Sequence, residues 1–269
     1  MTPVFSRVLT AILLLAVFVP AILWAPAWLW AILVAGVVGM AAYEWARLSH
    51  FPPLSARIYA VLLMLCAVAL PQALAGDWPD FQMALIALAV AFWLVVAPLW
   101  LLRQWHAPQA FVRAAVGVVL LLPTWAALLY LHAHSAAMLI GVMLIVWIAD
   151  TAAYFAGRRF GRHKLAPAIS PGKTWEGVGG ALAALALYAG ALSLLADDMS
   201  PLALILVVSG LLYVSILGDL FESWIKRVSG RKDSGDLLPG HGGVLDRIDA
   251  LTSTLPIATG ILMWLERAA

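Results

Sequence analysis

A single cysteine, Cys66, is all that this chain of 269 residues holds. That excludes an intrachain disulfide and a cysteine-built metal centre. Lying in an apolar run, Cys66 reads as a packing residue rather than a nucleophile. Charge is scarce as well: charged residues make up 11% of the chain against 64% hydrophobic ones, and the net charge is only +2. So little charge excludes a soluble globular domain, and no nucleic-acid partner is expected. Internal repeats, low-complexity tracts and linkers long enough to separate domains are also missing, so one domain over 1–269 is expected.

What is present is a succession of long apolar runs. A membrane-crossing helix needs roughly 20 apolar residues, and lipid offers no partner to an open backbone. The expected fold class is therefore all-α, a polytopic integral membrane protein. Spans are placed near 8–24, 28–46, 57–75, 83–102, 113–131, 136–156, 175–196, 202–220 and 250–266. The first, with Arg7 before it and "APA" after it, has the outline of a secretory signal. The spans that follow favour a retained membrane helix.

Basic residues sort the connections. Arg7 precedes the first span; Arg47 and Arg57 follow the second; Arg103 and Arg113 follow the fourth. Arg158, Arg159, Arg162, Lys164 and Lys173 follow the sixth, and Lys226, Arg227, Arg231, Lys232 and Arg247 follow the eighth. With nine alternating spans, all but Arg267 of the 16 Lys and Arg residues fall on one side. The other connections carry Asp77, Asp80, Asp197 and Asp198. Such asymmetry marks the basic side as cytoplasmic, with the N-terminus inside and the C-terminus outside.

Two charged segments interrupt this pattern. From Asp219 to Asp249 lie five basic and six acidic residues. At roughly 3 kcal/mol for each charge at the bilayer centre, burying them in lipid would cost on the order of 30 kcal/mol. The segment lies in water or lines a wet cavity; a plain solvated loop that sets topology is the competing reading. Against that, Asp219, Glu222, Ser223 and Lys226 stand at i, i+3, i+4 and i+7, one polar stripe if the eighth helix continues through them. Asp246 and Asp249 share a face where the ninth helix begins, an end that its dipole makes favourable for anions. Between them "LPGHGG" suits a tight turn with bare backbone. Carboxylates able to hold Mg²⁺, together with Lys226, Arg227, Arg231 and Lys232, are the inventory of a polyphosphate site.

The other segment runs from Asp150 to Gly177. Asp150, near the end of the sixth span with Tyr154 one turn on, is either a site residue or the partner of a loop arginine. "GKT" at 172–174 suggests a phosphate-binding loop, but Pro167 stands where the first glycine belongs, and no strand is expected ahead of it. Lys173 is either a topology-setting lysine or an anion ligand beside the start of the seventh helix, which Thr174 or Ser170 would cap. His241 fits a general base, a phosphate donor or a turn residue; no second histidine near it supports a zinc site.

The stretch from Ser223 to Asp249 resembles the signature of the CDP-diacylglycerol synthases, or phosphatidate cytidylyltransferases. The matching positions are Ser223, Ile225, Lys226-Arg227, Lys232-Asp233, Gly235, Leu238-Pro239, His241-Gly242-Gly243, Val244, Asp246-Arg247, Ile248 and Asp249. "FGRHKLAPAISPGKTWEG" is similar to the middle loop of the family, and "DTAAY" departs from it in having Ala152 where a glycine is expected. The resemblance covers 140–269, which makes 136–269 the catalytic half, with cytoplasmic loops 157–174 and 221–249, and 1–135 a less specific set of helices.

The resemblance implies transfer of CMP from CTP to phosphatidate in phospholipid synthesis, giving CDP-diacylglycerol and pyrophosphate, at the cytoplasmic face of the inner membrane. It implies Mg²⁺ as cofactor, with K⁺ as a candidate second cation, and a homodimer. Asp219, Asp246, Lys226 and Arg227 become the catalytic residues. Asp219, Asp246 and Asp249 become the metal ligands. Ser223, Lys173, Lys232, His241, Gly242, Gly243, Arg247 and Asp150 become substrate-binding residues. A CDP-alcohol phosphotransferase is disfavoured because Asp249 is followed by Ala250-Leu251 rather than by that family's motif. A cation transporter would need its acids near the bilayer midplane, not gathered at one rim.

Overall fold

Backbone groups that enter lipid must pair within the chain, and these apolar runs do so as helices. The computed structural model describes residues 3–106, 109–194, 200–237 and 242–268. Within it run α1 (Pro3–Trp24), α2 (Ala27–Leu48), α3 (Pro53–Leu74), α4 (Trp78–Leu102), α5 (Ala110–His134), α6 (Ala136–Phe160), α7 (Trp175–Ser193), α8 (Pro201–Val228) and α9 (Leu245–Ala268). Helices α2 to α9 are each long and apolar enough to cross a membrane. Helix α1, ahead of them, has 22 residues, a spanning length.

Several starts are written locally. Ser135, Thr174 and Ser200 cap α6, α7 and α8 by accepting from the backbone N–H of Met138, Gly177 and Ala203. Thr174, not Ser170, is thus the cap of α7. Several helices overrun the expected spans, and around the charged segments α6 reaches Phe160, α8 reaches Val228, and α9 begins at Leu245. The loop expected over 221–249 shrinks to 229–244 accordingly.

The loop expected over 157–174 is corrected more sharply. It contains an antiparallel hairpin, β1 (Lys164–Ala166) and β2 (Ser170–Thr174), with Lys164 opposite Thr174 and Ala166 opposite Ser170. The "GKT" triplet is itself within strand β2, so it is not a phosphate-cradling loop between a strand and a helix. Cys66 differs too: it is exposed on α3 rather than packed.

Helix α5 is the hub, with α2, α4 and α9 packed around it and two thirds of its spanning window buried. Side-chain donors reach its carbonyls from neighbouring helices. Trp45 Nε1 donates to Arg113 O at 2.6 Å, Tyr59 Oη to Ala114 O at 2.8 Å, and Gln82 Nε2 to Ala126 O at 2.9 Å.

Prolines create a similar demand. Pro256, inside α9, has no N–H for the carbonyl of Thr252 four residues back. Trp93 Nε1 supplies the missing donor at 3.0 Å, with Thr124 Oγ1 at 3.3 Å. Trp93 reaches it from a π-helical turn, Phe92–Val96, that widens α4 just before Pro98. There the Ala97 N–H bonds to Phe92 O, five residues back, so the wider turn absorbs the proline.

Small residues let helices approach. A Cβ on Gly180 of α7 would lie 2.3 Å from the Ala156 Cβ and 3.3 Å from the Ala152 carbonyl. Close α6–α7 packing is therefore met from the α7 side even with alanine at 152. A Cβ on Gly218 of α8 would lie 2.5 Å from Ser253 Oγ and 2.9 Å from Asp249 O of α9.

Interhelix bonds also gather the basic connections at one end. Ser229 Oγ donates to Leu48 O at 2.5 Å, Trp224 Nε1 to Trp105 O at 3.1 Å, and Arg227 Nε to Ile169 O at 3.3 Å. The connections after α2, α4, α6 and α8 thus share one end of the bundle, as the charge pattern requires. Gly218→Ala should cost about 1–3 kcal/mol by forcing α8 and α9 apart. Gly210→Ala on the same helix, where a Cβ meets nothing within 4 Å, should cost nothing. Thermal unfolding of the two variants in detergent checks the contrast.

Candidate functional site

The last three turns of α8 carry the polar stripe, and α9 begins against it. Lys226 Nζ lies 2.7 Å from Glu222 Oε2, one turn back, and 2.6 Å from Asp246 Oδ1 on α9. Glu222 is 3% exposed and Lys226 9%. A lysine so buried stays charged only because carboxylates flank it. Two of its three N–H groups are thereby committed within the protein. The other oxygen of Glu222, Oε1, is buried and meets no donor.

Asp219, one turn before Glu222 and Ser223, is reached from a different element. Its Oδ1 accepts from Ser223 Oγ at 3.2 Å, and its Oδ2 pairs with Lys173 Nζ at 2.6 Å. Strand β2 delivers Lys173: the hairpin folds back so that this lysine, basic and close to the start of α7, points at α8. The pair is only partly buried, Lys173 at 24% and Asp219 at 27% side-chain exposure, so both remain open to a ligand.

Asp246 sits in the first turn of α9. Its Oδ2 accepts from Gly243 N, Ser234 N and Ser234 Oγ, each at 2.9 Å. Reaching back to Gly243 is how an acid at a helix start satisfies unpaired backbone donors. Gly242, at φ +79°, makes the turn that allows it. With Lys226 on Oδ1, Asp246 is held on both oxygens.

Asp249 lies one turn further along α9, its Oδ1 accepting from Ala250 N at 2.8 Å. Its charge is felt by Glu222, and it in turn feels Asp219, Lys226 and Asp150. Asp150 is exposed on α6, with no ion pair within 4.0 Å among the described residues. Its charged neighbours are Asp219, Lys173 and Arg247. The structure therefore gathers Asp150, Lys173, Asp219, Ser223, Lys226, Asp246 and Asp249 at one end of the bundle, with Glu222 among them.

Other expected residues lie around this centre rather than in it. Arg227 is exposed and donates to Ile169 O, tying α8 to the hairpin turn. Arg247 and Lys232 are exposed, with no ion-pair partner among the described residues. Gly242 and Gly243 form the turn ahead of α9, and His241 lies outside the described residues.

One residue at this end was missed. Glu44 of α2, 2% exposed, accepts from Val244 N at 3.0 Å and Leu245 N at 2.8 Å, and its Oε2 lies 2.9 Å from Ser234 Oγ. The signal was available: an acid within an apolar span is a functional hypothesis by default.

Among the described residues no three Asp, Glu, His or Cys side chains converge as a ready-made cage for an ion. The donor set still suits a hard cation. Immediately around this centre the acids Asp150, Asp219, Glu222, Asp246 and Asp249 outnumber the cations Lys173, Lys226 and Arg247, and Glu222 keeps an unpartnered oxygen. Mg²⁺ is commonly bound through one or two carboxylates, with water and substrate phosphates completing its shell.

Comparison with known proteins adds two findings. A family model described as "Cytidylyltransferase family" matches residues 5–265. The chain is 40% identical over 268 residues to the phosphatidate cytidylyltransferase of Pseudomonas aeruginosa, covering 96% of each chain. It is 34% identical over 276 residues to that of Haemophilus influenzae, covering 93% of this chain and 96% of the other. Against the Brucella suis protein of the same name, identity is 54% over 114 residues, 40% of each chain.

Lys226→Ala should destabilise the fold by about 3–5 kcal/mol, since it strands Glu222 and Asp246 without their cation. Lys226→Ala combined with Glu222→Gln should recover some of that loss. Denaturant unfolding in mixed micelles measures both; equal stability of Lys226→Ala and the parent would contradict a buried ion trio.

Proposed function

This chain belongs to the cytidylyltransferase family, and from that premise we propose that it transfers CMP from CTP to phosphatidate. The family makes the chain a nucleotidyltransferase enzyme, and the names of its relatives supply the lipid acceptor. A phosphate oxygen of phosphatidate attacks the α-phosphorus of CTP. The bond from that phosphorus to the oxygen bridging to the β-phosphate breaks, and pyrophosphate leaves. A phosphate monoester already carries negative oxygens near neutral pH, so no strong general base is required. Positioning and electrostatics carry most of the rate.

The observation that carries this reading is the Lys173–Asp219 pair, partly open beside the buried Lys226 trio at the rim where the basic connections meet. Lys173, partly open beside Asp219, and the exposed Arg247 and Lys232 are cations that would meet a triphosphate. Asp219, Asp249 and Asp246 are the residues that would hold Mg²⁺. When bound, the ion would neutralise charge building on the transferred phosphoryl group and the departing pyrophosphate. Lys226 and the Gly243 and Ser234 amides keep Asp246 oriented. The basic connections favour the cytoplasmic face of the inner membrane for this rim, where CTP arrives from the cytosol while the acyl chains stay in lipid. K⁺ as a second cation and pairing of two copies extend the same reading.

Detergent-purified protein should consume labelled CTP only when phosphatidate and Mg²⁺ are both supplied. Asp219→Asn and Asp246→Asn should each lower turnover by about 100-fold or more while the chain stays folded. A near-normal rate in either variant removes it from the site. Turnover indifferent to phosphatidate, or cation uptake into proteoliposomes without nucleotide consumption, would overturn the reading.

A further inference from the structure

We infer that Glu44, contributed by α2 from outside the signature, is a positioning residue of the active site that sets the loop carrying Asp246. The inference rests on the transferase reading above, and it extends the site into the N-terminal half of the chain.

Glu44 is a buried carboxylate with every contact directed at one short stretch. Oε1 accepts from Val244 N, and Oε2 accepts from Leu245 N and faces Ser234 Oγ. Two of these donors belong to the start of α9, where unpaired N–H groups and the helix dipole favour negative charge. No lysine or arginine pairs with Glu44 among the described residues, so the start of α9 is its counter-charge.

The link to Asp246 runs through Ser234. Its hydroxyl lies 2.9 Å from Glu44 Oε2 and 2.9 Å from Asp246 Oδ2, and one proton serves one of them at a time. The Ser234 amide is also 2.9 Å from Asp246 Oδ2. Displacing Glu44 therefore releases both the hydroxyl between the carboxylates and the first backbone turn on which Asp246 is mounted.

Packing agrees with this linkage. A Cβ on Gly235 would come 2.7 Å from Glu44 Oε1, and one on Gly243 would come 2.4 Å from Glu44 Oε2 and 2.1 Å from Ser234 Oγ. Two positions of the signature thus stay small because a carboxylate 190 to 200 residues away in the chain occupies the space.

The control is Ser229. Its hydroxyl also ties α2 to the segment after α8, through Leu48 O, yet it touches neither Asp246 nor Ser234. Full-length Glu44→Gln, Glu44→Ala and Ser229→Ala would be compared for kcat, KM for CTP, the Mg²⁺ concentration at half-maximal rate, thermal midpoint, and hydrogen exchange at Gly243–Leu245. Glu44→Gln should lower kcat by about 10–100-fold and raise the Mg²⁺ requirement, the scale on which residues that orient a metal ligand act. Exchange at Gly243–Leu245 should quicken, and Ser229→Ala should leave kcat and the Mg²⁺ requirement unchanged.

The inference fails if the Glu44 variants lose activity only in proportion to folded protein, with the Mg²⁺ requirement and exchange of the parent. It fails equally if Ser229→Ala reproduces their kinetic changes. Should the parent protein itself transfer nothing from CTP to phosphatidate, the transferase reading falls, and the exchange comparison still judges the clamp.

Discussion

One buried ammonium group decides where helices α8 and α9 stand. Lys226 reaches Glu222 on its own helix and Asp246 on the next, and neither acid nor base is tolerable at that depth alone. The constraint fixes the end of α8 against the first turn of α9, and Gly218 removes the side chain that would hold the helices apart further in. The loop between them is then short of freedom: its glycine turn, its serine and its backbone N–H groups all face a carboxylate already held in place.

Around that fixed pair the site is assembled from distant stretches of the chain. Strand β2 brings Lys173 to Asp219, the hairpin turn takes Arg227, and α2 sends Glu44 under the start of α9. Division of labour follows from burial. Lys226 and Glu44 are sealed in and hold other groups, whereas Lys173 and Asp219 are partly open and meet what arrives. The family shown by the comparisons makes sense of the open pair, because transfer of a nucleotidyl group needs charges that face a ligand as well as charges that face each other.

Much of this was legible in advance, for identifiable reasons. Apolar runs of spanning length can only be helices in lipid, and the sorting of Lys and Arg named the end at which the connections meet. The stripe from Asp219 to Lys226 followed from helical spacing and needed only that α8 continue, which it does to Val228. The hairpin was not legible: strands of three and five residues, rich in turn-forming residues and paired only with each other, are too short to show a period of two. Cys66 misled because hydrophobicity says that a residue avoids water, not whether it meets protein or lipid. Glu44 was missed although it is an acid in a span, and what it grips lies some 200 residues on, beyond any local pattern.

The proline in α9 has a consequence for descent. Its orphaned carbonyl at Thr252 is covered by an indole that α4 can present only because one of its turns is wound wide. A π turn is in effect a one-residue insertion absorbed locally, and deleting a residue there would close it to ordinary α geometry and withdraw the widened backbone from which Trp93 is presented. The kinked helix and the widened one are therefore a single inherited unit: a lineage that loses either should be found to have lost or replaced the other.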